Sequence, residues 1–211
     1  MGGAAPTVYV VDDDPEVLKA IERLLQSVGL NVATFSSPQQ FLERHDRNAP
    51  GCLVLDLALP GLSGLELQRA LEQQASLLPI VFLTGRGDIA SSVQAMKRGA
   101  ADFLTKPVDD AELMAAIQTA LARDHELRRV RVERDRIARC LATLTERERQ
   151  VLERIVAGRL NKQIAAELGT VEKTIKFHRA NLMRKMGVRV IADLVKLAER
   201  AGVGQTPKDL T

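Results

Sequence analysis

The sequence predicts an α/β doubly wound five-stranded parallel sheet that a helical linker joins to a small all-α helix-turn-helix domain. Over residues 1–120, short apolar runs alternate with amphipathic segments, which is typical of βαβ units. Residues 123–141 contain neither Gly nor Pro and have too few apolar positions for a core helix, which indicates a linker. Glycines then separate four short helical patterns. The predicted segments are an α/β domain at 1–121, the linker at 122–141, the helix-turn-helix domain at 142–203 and a tail at 204–211.

The five predicted strands are short apolar runs, and four of them lead into polar side chains. Three aspartates at 12–14 follow the first run, Asp56 ends the third, Thr84 follows the fourth, and Lys106 comes soon after the fifth. In parallel sheets, ligand chemistry gathers where the carboxyl ends of the strands open onto a crevice. We therefore expect these groups to converge on one pocket. The strands are predicted near 7–11, 31–35, 51–56, 79–83 and 101–104.

Capping residues place the helices between these strands. Asp14 stands before a proline, which is the pattern of an N-cap with proline at the first helical position. Ser37 with Gln40, and Asp109 with Glu112, predict capping boxes at two further helix starts. The helices of this domain are predicted near 15–28, 38–46, 64–75, 88–98 and from 110 onward.

The second domain begins with a capping box and contains a tight turn between two helices. Thr145 and Glu148 form the box, and Gly169 supplies the turn, with Thr170 as the cap of the next helix. The helices are predicted near 146–157, 161–168, 171–186 and 190–201. In the helix before the turn, three residues are predicted to face the core: Ile164, Ala165 and Leu168.

Composition argues against a membrane-spanning or disulfide-stabilised protein. Apolar residues make up 45% of the chain and charged residues 27%, so a sizeable core can form under an ordinary surface. The two cysteines, Cys52 and Cys140, are far apart and lack a metal-binding spacing, which fits a reducing compartment. No apolar stretch approaches the roughly 20 residues that cross a bilayer, and the first residues lack the features of a secretory signal. We expect a cytoplasmic protein without a membrane partner.

Charge divides the chain into an acidic front and a basic back. Residues 1–122 contain 9 basic and 15 acidic side chains, a net charge of −6. Residues 142–211 contain 14 basic and 8 acidic side chains, a net charge of +6, and residues 123–141 add +3. This division indicates two modules with different partners, the second partner being a polyanion, although a solvated basic face without a ligand gives the same charge.

The polar groups at the strand ends have the chemistry of a phosphoryl-accepting site. Several carboxylates in one crevice repel one another, and their oxygens suit Mg²⁺, which would neutralise them. A carboxylate held beside Mg²⁺ can attack a phosphoryl donor and form an aspartyl phosphate. Lys106 would then stabilise the phosphoryl oxygens, and Thr84 would donate a hydrogen bond to one of them.

Short motifs in this part of the chain resemble those of response-regulator receiver domains. The matching stretches are Val-Val-Asp-Asp-Asp at 10–14, Leu-Asp-Leu-Ala-Leu-Pro-Gly at 55–61, Ser-Gly at 63–64, Leu-Thr-Gly at 83–85 and Lys-Pro at 106–107. The resemblance spans nearly all of residues 7–120. It implies a flavodoxin-like receiver fold in which Asp56 is the phosphoacceptor, assisted by Thr84 and Lys106.

The same resemblance implies a metal site and a switch. Asp13 and Asp56 would bind Mg²⁺ together with the backbone carbonyl of Ala58, and Asp12 would act through a water. Thr84 and Phe103 would be the switch residues. The peptide bond between Lys106 and Pro107 would be cis, which proline permits.

Three alternatives to a phosphoryl-accepting receiver are considered for this pocket. The first is a receiver that no longer accepts phosphate, although every required group is present. The second is a flavodoxin-like fold that binds flavin, but the aspartates at 12–14 would repel a cofactor phosphate. The third is a metal-dependent phosphatase, for which a second pair of catalytic acids is lacking.

The helix after the predicted turn has an apolar face and a basic face. On a wheel of 100° per residue, one side is predicted to be buried: Val171, Ile175, His178, Leu182 and Met186. We expect His178 to be a core histidine bonded to the backbone. Phe177 or Ala180 on the opposite side is suited to a thymine methyl group, with packing against another helix as the alternative for Phe177. The predicted DNA-binding residues are Lys173, Thr174, Lys176, Phe177, Arg179, Ala180 and Arg184.

Residues 144–197 resemble a LuxR-type DNA-binding domain. The matching stretches are Leu-Thr-Glu-Arg-Glu-Arg-Gln-Val-Leu at 144–152, Gly158, Asn-Lys-Gln-Ile-Ala at 161–165 and Thr-Ile-Lys-Phe-His at 174–178. With its receiver-like front, the whole chain resembles two-component response regulators of the FixJ/NarL class.

This resemblance implies a transcriptional regulator that is controlled by phosphorylation. It also implies that the protein is not an enzyme, except that the receiver assists its own phosphorylation and dephosphorylation. The implied partners are a sensor histidine kinase, double-stranded promoter DNA and, on phosphorylation, a second copy of the chain, with RNA polymerase as a further candidate. Two alternatives remain. The helical domain could be a protein-docking bundle, or the protein could bind DNA constitutively and use its receiver only to dimerise.

Overall fold

The computed structural model describes residues 5–85 and 89–203, except for the side chains of 89–92. Within this range the chain folds as two compact units, and the boundary between them falls after Arg128. The predicted tail at 204–211 lies outside the described residues, as does Asp88, the predicted start of the fourth helix. In the described part of the chain, no helix is both long and apolar enough to cross a membrane.

The first unit is built on a five-stranded parallel sheet, as predicted. Its strands are β1 (Thr7–Val11), β2 (Asn31–Phe35), β3 (Gly51–Asp56), β4 (Ile80–Thr84) and β5 (Asp102–Thr105). The strand order is β2-β1-β3-β4-β5, so the direction of winding reverses between β1 and β3. A crevice is expected beyond the carboxyl ends of these two strands. The first three strands have their predicted bounds, and β4 and β5 lie one residue further along the chain.

Helices connect the strands of this unit. They are α1 (Pro15–Ser27), α2 (Pro38–Arg44), α3 (Gly64–Gln73), α4 (Ile89–Lys97) and α5 (Asp110–Ala142), and the unit boundary falls within α5. The first four helices end one or two residues before their predicted ends. Helix α1, for example, ends in a tighter turn, in which the N–H of Gly29 bonds to the carbonyl of Gln26, three residues before it, at 3.0 Å.

All three predicted caps of this unit accept a backbone N–H, but neither of the two predicted capping boxes closes. For Asp109, the described residues show no bond from its N–H to the Glu112 side chain. Asp14 accepts the N–H of Glu16 at 2.8 Å, and Asp109 accepts the N–H of Glu112 at 3.1 Å. Ser37 accepts the N–H of Gln40. The carbonyl oxygen of the Gln40 side chain, however, accepts from the N–H and hydroxyl of the preceding residue, Ser36, so the predicted box does not close on Ser37.

The sheet has a hydrophobic core on each face. Strand β3 is buried along its whole length and sends Leu53 and Leu55 to one face and Cys52 and Val54 to the other. Side chains alternate along a strand, so such a strand is apolar at every position only when both faces are covered. Helices α2, α3 and α4 cover the first face, and α1 and α5 cover the second.

A buried ion pair on α5, here called the α5 clamp, ties this helix to the start of β3. Asp124 is buried, and its carboxylate accepts the N–H of Gly51 at 3.0 Å. The Nε of Arg128 donates to both oxygens of the Asp124 carboxylate at 2.8 Å. The same guanidinium donates to the carbonyls of Asn48 and Ala49 at 2.7 and 2.6 Å. Both charged residues lie in the segment predicted as a linker, although their i,i+4 spacing is the signal of a helical ion pair.

The second unit contains four further helices. They are α6 (Glu146–Val156), α7 (Asn161–Glu167), α8 (Glu172–Met186) and α9 (Ile191–Arg200). Leu152, Ile164, Ile175 and Leu182 are fully inaccessible at the centre of their core. Helices α7 and α8, separated by a turn at Gly169, form the predicted helix-turn-helix.

One side chain of the segment predicted as a linker, Ile137, contributes to a hydrophobic core. This side chain is buried in the core of the second unit, with Cys140 and Leu141 packed against the same cluster. The three positions follow an i, i+3, i+4 spacing, so one short apolar stripe faces the core although the segment as a whole is polar.

Two predictions about the start of α8 are also wrong. Thr170 does not cap the helix: Val171 occupies the N-cap position, without a side-chain hydrogen bond. Val171 is 65% exposed, since its extended backbone takes it off the helical wheel that placed it in the core.

The prediction that His178 is a core histidine bonded to the backbone is wrong as well. His178 is only half-buried, and its ring lies 5.9 Å from that of Phe177. Among the described residues it makes no side-chain hydrogen bond to the backbone.

A second buried ion pair joins α6 to α8. The Glu148 carboxylate accepts from the Nζ of Lys185 at 2.6 Å and from the N–H and hydroxyl of Thr145 at 2.8 and 3.1 Å, which confirms the predicted capping box. Burial favours a raised pKa for Glu148, but the hydrogen bonds from Lys185 and Thr145 outweigh it and lower the pKa. Lys185 also donates to the carbonyl of Thr143 at 2.9 Å.

This ion pair predicts how acid affects the second unit. A carboxyl whose pKa is lower in the folded than in the unfolded state contributes stability above its unfolded pKa and loses it as the pH falls through the folded pKa. For Glu148 that loss begins below the ordinary glutamate pKa of 4.5. We expect Glu148→Gln to be less stable than wild type at pH 7, with a difference that shrinks between pH 5 and pH 3. Urea unfolding midpoints would measure it, with exposed Glu199→Gln as the control. A difference that stays constant over this range would contradict the prediction.

Candidate functional site

The predicted acidic pocket forms at the carboxyl end of the sheet. Asp12 follows β1 and Asp56 ends β3, and the two strands pair in register with Val11 opposite Leu55. Carboxylate oxygens of Asp12, Asp13 and Asp56 all lie within 4.8 Å of one another. Asp12 and Asp56 are buried, whereas Asp13 is exposed. The cluster therefore has two oxygen donors in the protein interior and one at the solvent side.

Lys106 bridges the two buried carboxylates. Its Nζ lies 2.6 Å from Asp12 Oδ2 and 2.8 Å from Asp56 Oδ2. Partial burial opposes the charged ammonium, but the hydrogen bonds to both carboxylates outweigh it and raise the pKa of Lys106. The amine is therefore held as a cation between the two acids. The peptide bond that follows it, to Pro107, is cis as predicted.

Backbone N–H groups orient the other oxygens of the same carboxylates. Asp12 Oδ1 accepts the N–H of Asp14 at 2.9 Å, and Asp56 Oδ1 accepts the N–H of Ala58 at 3.2 Å. Burial, reinforced by the charge of Asp56, raises the pKa of Asp12, against the hydrogen bonds from Lys106 and the Asp14 N–H. The Lys106 cation and the Asp14 N–H thus favour the ionised form of Asp12, whereas burial opposes it.

The start of α3 packs directly on the backbone of Asp56. A Cβ atom placed on Gly64 would lie 2.6 Å from the Asp56 carbonyl oxygen and 3.2 Å from the ring of Phe82. Only glycine fits this contact, because a side chain would displace either the helix or the end of β3. Gly64 therefore holds Asp56 at its place in the pocket, a role that the sequence motif alone did not explain.

The two predicted switch residues lie on neighbouring strands. Thr84 ends β4 and is buried, and its hydroxyl donates to the carbonyl of Gly85 at 3.1 Å rather than to the acidic cluster. Phe103 lies on β5, paired with Phe82 of β4, and its side chain is 42% exposed. The ring of Phe103 is thus turned at least partly toward solvent while the Thr84 hydroxyl bonds along its own loop.

The second unit presents most of the predicted DNA-binding residues on one face of α8. Five side chains are exposed there: Lys173, Lys176, Phe177, Ala180 and Arg184. Lys176 forms an exposed ion pair with Glu172 at 3.3 Å, and Arg184 donates to Asn181 at 3.0 Å. Exposed pairs of this kind contribute little stability, so both cations are available to a ligand.

The other two predicted DNA-binding residues do not share this exposed face. Thr174 is half-buried. Arg179 is also half-buried, and its guanidinium donates to the side chain of Asn161 on α7. Burial lowers the pKa of Arg179. The charge pattern of the sequence did not reveal this contact, because Asn161 and Arg179 are 18 positions apart.

Comparison with known proteins finds a family match in each unit. Residues 8–118 match the description "Response regulator receiver domain", and residues 142–198 match "Bacterial regulatory proteins, luxR family". Among curated proteins, the chain is 44% identical to the response regulator protein TodT of Pseudomonas putida, over 95% of this chain and 88% of TodT. It is 42% identical to the transcriptional regulatory protein FixJ of Azorhizobium caulinodans, over 93% of each chain.

Solved structures lead to the same family and confirm the predicted flavodoxin-like fold. The structure of the response regulator StyR is 46% identical in sequence, with a TM-score of 0.85, and the match covers 93% of this chain and 100% of StyR. Full-length FixJ from B. japonicum is 40% identical with a TM-score of 0.58, over 95% of this chain and 98% of FixJ. The chain belongs to the two-component response regulators that combine a receiver domain with a LuxR-type DNA-binding domain, a family of transcription regulators.

Proposed function

We propose that this protein is a DNA-binding transcriptional regulator controlled by phosphorylation of Asp56. The observation that carries the proposal is the position of the Lys106 ammonium, 2.6 Å from Asp12 and 2.8 Å from Asp56, beside the exposed carboxylate of Asp13. A half-buried cation shared by two carboxylates, with a third at the solvent side, is suited to a dianionic phosphoryl group that approaches from outside.

The acidic cluster fits Mg²⁺. Three carboxylates whose oxygens lie within 4.8 Å of one another offer the hard oxygen ligands that this cation takes. We propose that Asp13, Asp56 and the backbone carbonyl of Ala58 bind it, with Asp12 acting through a water. When bound, Mg²⁺ would supply positive charge to the oxygens of the transferred phosphoryl group.

The residues of the pocket then have separate roles in the transfer. A carboxylate oxygen of Asp56 forms a new P–O bond while the P–N bond of a phosphohistidine donor breaks, and the released imidazole nitrogen takes up a proton from water. Lys106, already oriented by Asp12, stabilises the phosphoryl oxygens once Asp56 is phosphorylated. The Thr84 hydroxyl leaves the Gly85 carbonyl and donates to one of these oxygens.

A sensor histidine kinase is the proposed donor, and the structure offers it a surface beside the pocket. An apolar groove of about 240 Å³ lies between α1 and the start of α5 and includes Lys106 in its wall. A partner that delivers a phosphoryl group to Asp56 must approach this edge of the sheet. The apolar side chains lining the groove include Val17, Ile21, Leu24, Pro107, Val108 and Leu113.

The proposed output is dimerisation through α4 and β5. Val93 and Met96 on α4 are 48% and 41% exposed, and Phe103 on β5 is exposed to a similar degree. Movement of Thr84 toward the phosphoryl group would free space for the Phe103 ring, a two-state packing change. Two receivers joined across this face would bring two α8 helices to the half-sites of a promoter, which raises affinity without new base contacts.

The DNA-binding role is consistent with the division of charge along the chain, and we propose a cytoplasmic location. The exposed face of α8 combines the cations of Lys173, Lys176 and Arg184 with Phe177 and Ala180, which suits the major groove. RNA polymerase is a further candidate partner, which a promoter-bound regulator could contact.

Phosphorylation-dependent assembly tests the proposal. We expect a small phosphodonor with Mg²⁺ to shift the protein from monomer to dimer in sedimentation and to increase its affinity for promoter DNA. A charge reversal at exposed Lys97, Lys97→Glu, should weaken the shift while Asp56 is still phosphorylated. An equal mass before and after phosphorylation, with raised DNA affinity, would refute the dimer mechanism. Unchanged mass and unchanged affinity would instead favour a constitutive DNA-binding protein.

A further inference from the structure

Helix α7, the first helix of the helix-turn-helix, is held at both ends by arginines from its neighbours. At its first residue, the Asn161 side chain accepts a hydrogen bond from Arg179 of α8. At its C-cap, the carbonyl of Leu168 accepts a bond of 2.5 Å from Nη2 of Arg147 on α6. The other terminal nitrogen of Arg147 donates to the side chain of Gln150 at 3.1 Å.

The Arg147 contact lies where the chain turns from α7 into α8. The last carbonyls of a helix have no partner within the helix and carry its negative dipole end, so a guanidinium there is doubly favoured. Leu168 is followed by Gly169 at a φ of +60°, the left-handed residue that makes the turn. The N–H of Thr170 then bonds back to the carbonyl of Ala165 at 2.9 Å. Arg147 therefore holds the C-cap of α7 in place, immediately before the turn that leads into α8.

Both arginines are half-buried, and their placement differs from that of the exposed cations of α8. The guanidinium groups of Arg147 and Arg179 are directed to acceptors inside the unit. Lys173, by contrast, is exposed, and among the described residues its ammonium has no hydrogen-bond or ion-pair partner. Charge alone does not distinguish these three cations, whereas their contacts separate them into two groups.

We propose that Arg147 and Arg179 are positioning residues for DNA reading, which hold α7 so that α8 meets the base edges at a fixed angle, and that they do not contact DNA phosphates. The proposal rests on the proposed DNA-binding function. It removes Arg179 from the predicted DNA contacts and adds Arg147, a residue on a helix outside the helix-turn-helix.

Salt dependence distinguishes a phosphate contact from a positioning residue. Each neutralised phosphate adds about 0.9 to the slope of log affinity against log salt concentration, through counterion release. Loss of a contact therefore lowers affinity for every duplex and flattens the slope. Loss of a positioning residue should lower affinity for the preferred sequence, leave affinity for random DNA almost unchanged and preserve the slope.

The experiment uses the full chain and two duplexes of equal length, one selected by the wild-type protein from a random library and one of random sequence. Arg147→Gln is compared with Arg149→Gln, which removes the same charge from the exposed side of α6, and with Lys173→Gln as a predicted phosphate or base contact. We expect Arg147→Gln to bind the selected duplex roughly 5-fold more weakly, the scale of one net hydrogen bond. Its salt slope should match that of wild type and of Arg149→Gln. Arg147→Lys, which retains one donor for the Leu168 carbonyl, should recover part of the loss.

Each outcome decides the proposal. A flattened slope in Arg147→Gln, like that of Lys173→Gln, would identify a phosphate contact and overturn it, as would wild-type affinity for the selected duplex. If Arg147→Gln unfolds, as thermal denaturation would show, Arg179→Gln and Arg147→Lys provide the same comparison in folded protein. A wild-type chain that selects no sequence would refute the DNA-reading function itself, whereas a selective wild type with unaffected variants would refute only the positioning role.

Discussion

Replacing Asp56 with Asn is expected to abolish phosphorylation by a small phosphodonor in the presence of Mg²⁺. The substitution keeps the shape of the side chain and one oxygen for the hydrogen bond from Lys106, which lies 2.8 Å from the wild-type carboxylate. It removes the anionic oxygen that attacks phosphorus and one charge from the acidic cluster. Intact-mass measurement should therefore show one added phosphoryl group on wild type and none on the variant.

A second substitution controls for the general loss of a carboxylate. Asp193→Asn changes an exposed aspartate of the second unit, which is not part of the acidic cluster, and should be phosphorylated as wild type is. Phosphorylation of the Asp56 variant at full stoichiometry would show that another residue is the acceptor. Thermal unfolding of both variants should remain close to wild type, so that a loss of phosphorylation cannot be ascribed to unfolding.

Replacing Leu182 with Ala is expected to have the largest effect on stability. This side chain of α8 is fully buried in the core of the second unit. Deleting a buried leucine side chain removes transfer free energy and leaves a cavity, at a total cost of about 2–5 kcal/mol. Since domains are stable by only about 5–15 kcal/mol, the helix-turn-helix should approach the point of unfolding. Denaturant unfolding followed by circular dichroism would measure the change.

The control for this prediction is the same chemical change at an exposed position. Leu160 stands at the N-cap of α7 with its side chain 69% exposed, and Leu160→Ala should change stability by no more than about 0.5 kcal/mol. DNA affinity should fall with the folded fraction in Leu182→Ala and stay unchanged in Leu160→Ala. Equal unfolding midpoints for the two variants would contradict the observed burial of Leu182.

The sheet and the acidic pocket were predictable because their signals are local and repeated. Each strand is a short apolar run, and the polar residue at its end needs no long-range information to be found. The rule that parallel strands open onto a shared crevice then converts separate positions, such as Asp12, Asp56 and Lys106, into one site. The structure places the carboxylates of Asp12 and Asp56 within direct hydrogen-bonding distance of Lys106 Nζ.

The features that were missed depend on the local backbone conformation or on contacts between distant parts of the chain. The helical wheel placed Val171 in the core because it assumes a helical backbone, whereas this residue is an extended N-cap. The linker prediction rested on the sparse apolar positions of residues 123–141, which do not show that Ile137 packs into a core. Arg179 was assigned to DNA by its charge, since nothing near it in sequence reveals the contact to Asn161.

The α5 clamp determines where the first unit can be cut for work on an isolated fragment. A fragment ending at residue 121, the predicted end of the α/β domain, would lack Asp124 and Arg128. The N–H of Gly51 and the carbonyls of Asn48 and Ala49 would lose the side chains that bond to them. The bond to Gly51 is buried, and an unsatisfied buried donor costs about 1–3 kcal/mol, so such a fragment would carry a defect at the start of the strand that ends in Asp56. A receiver expressed through Arg128 would retain the whole network.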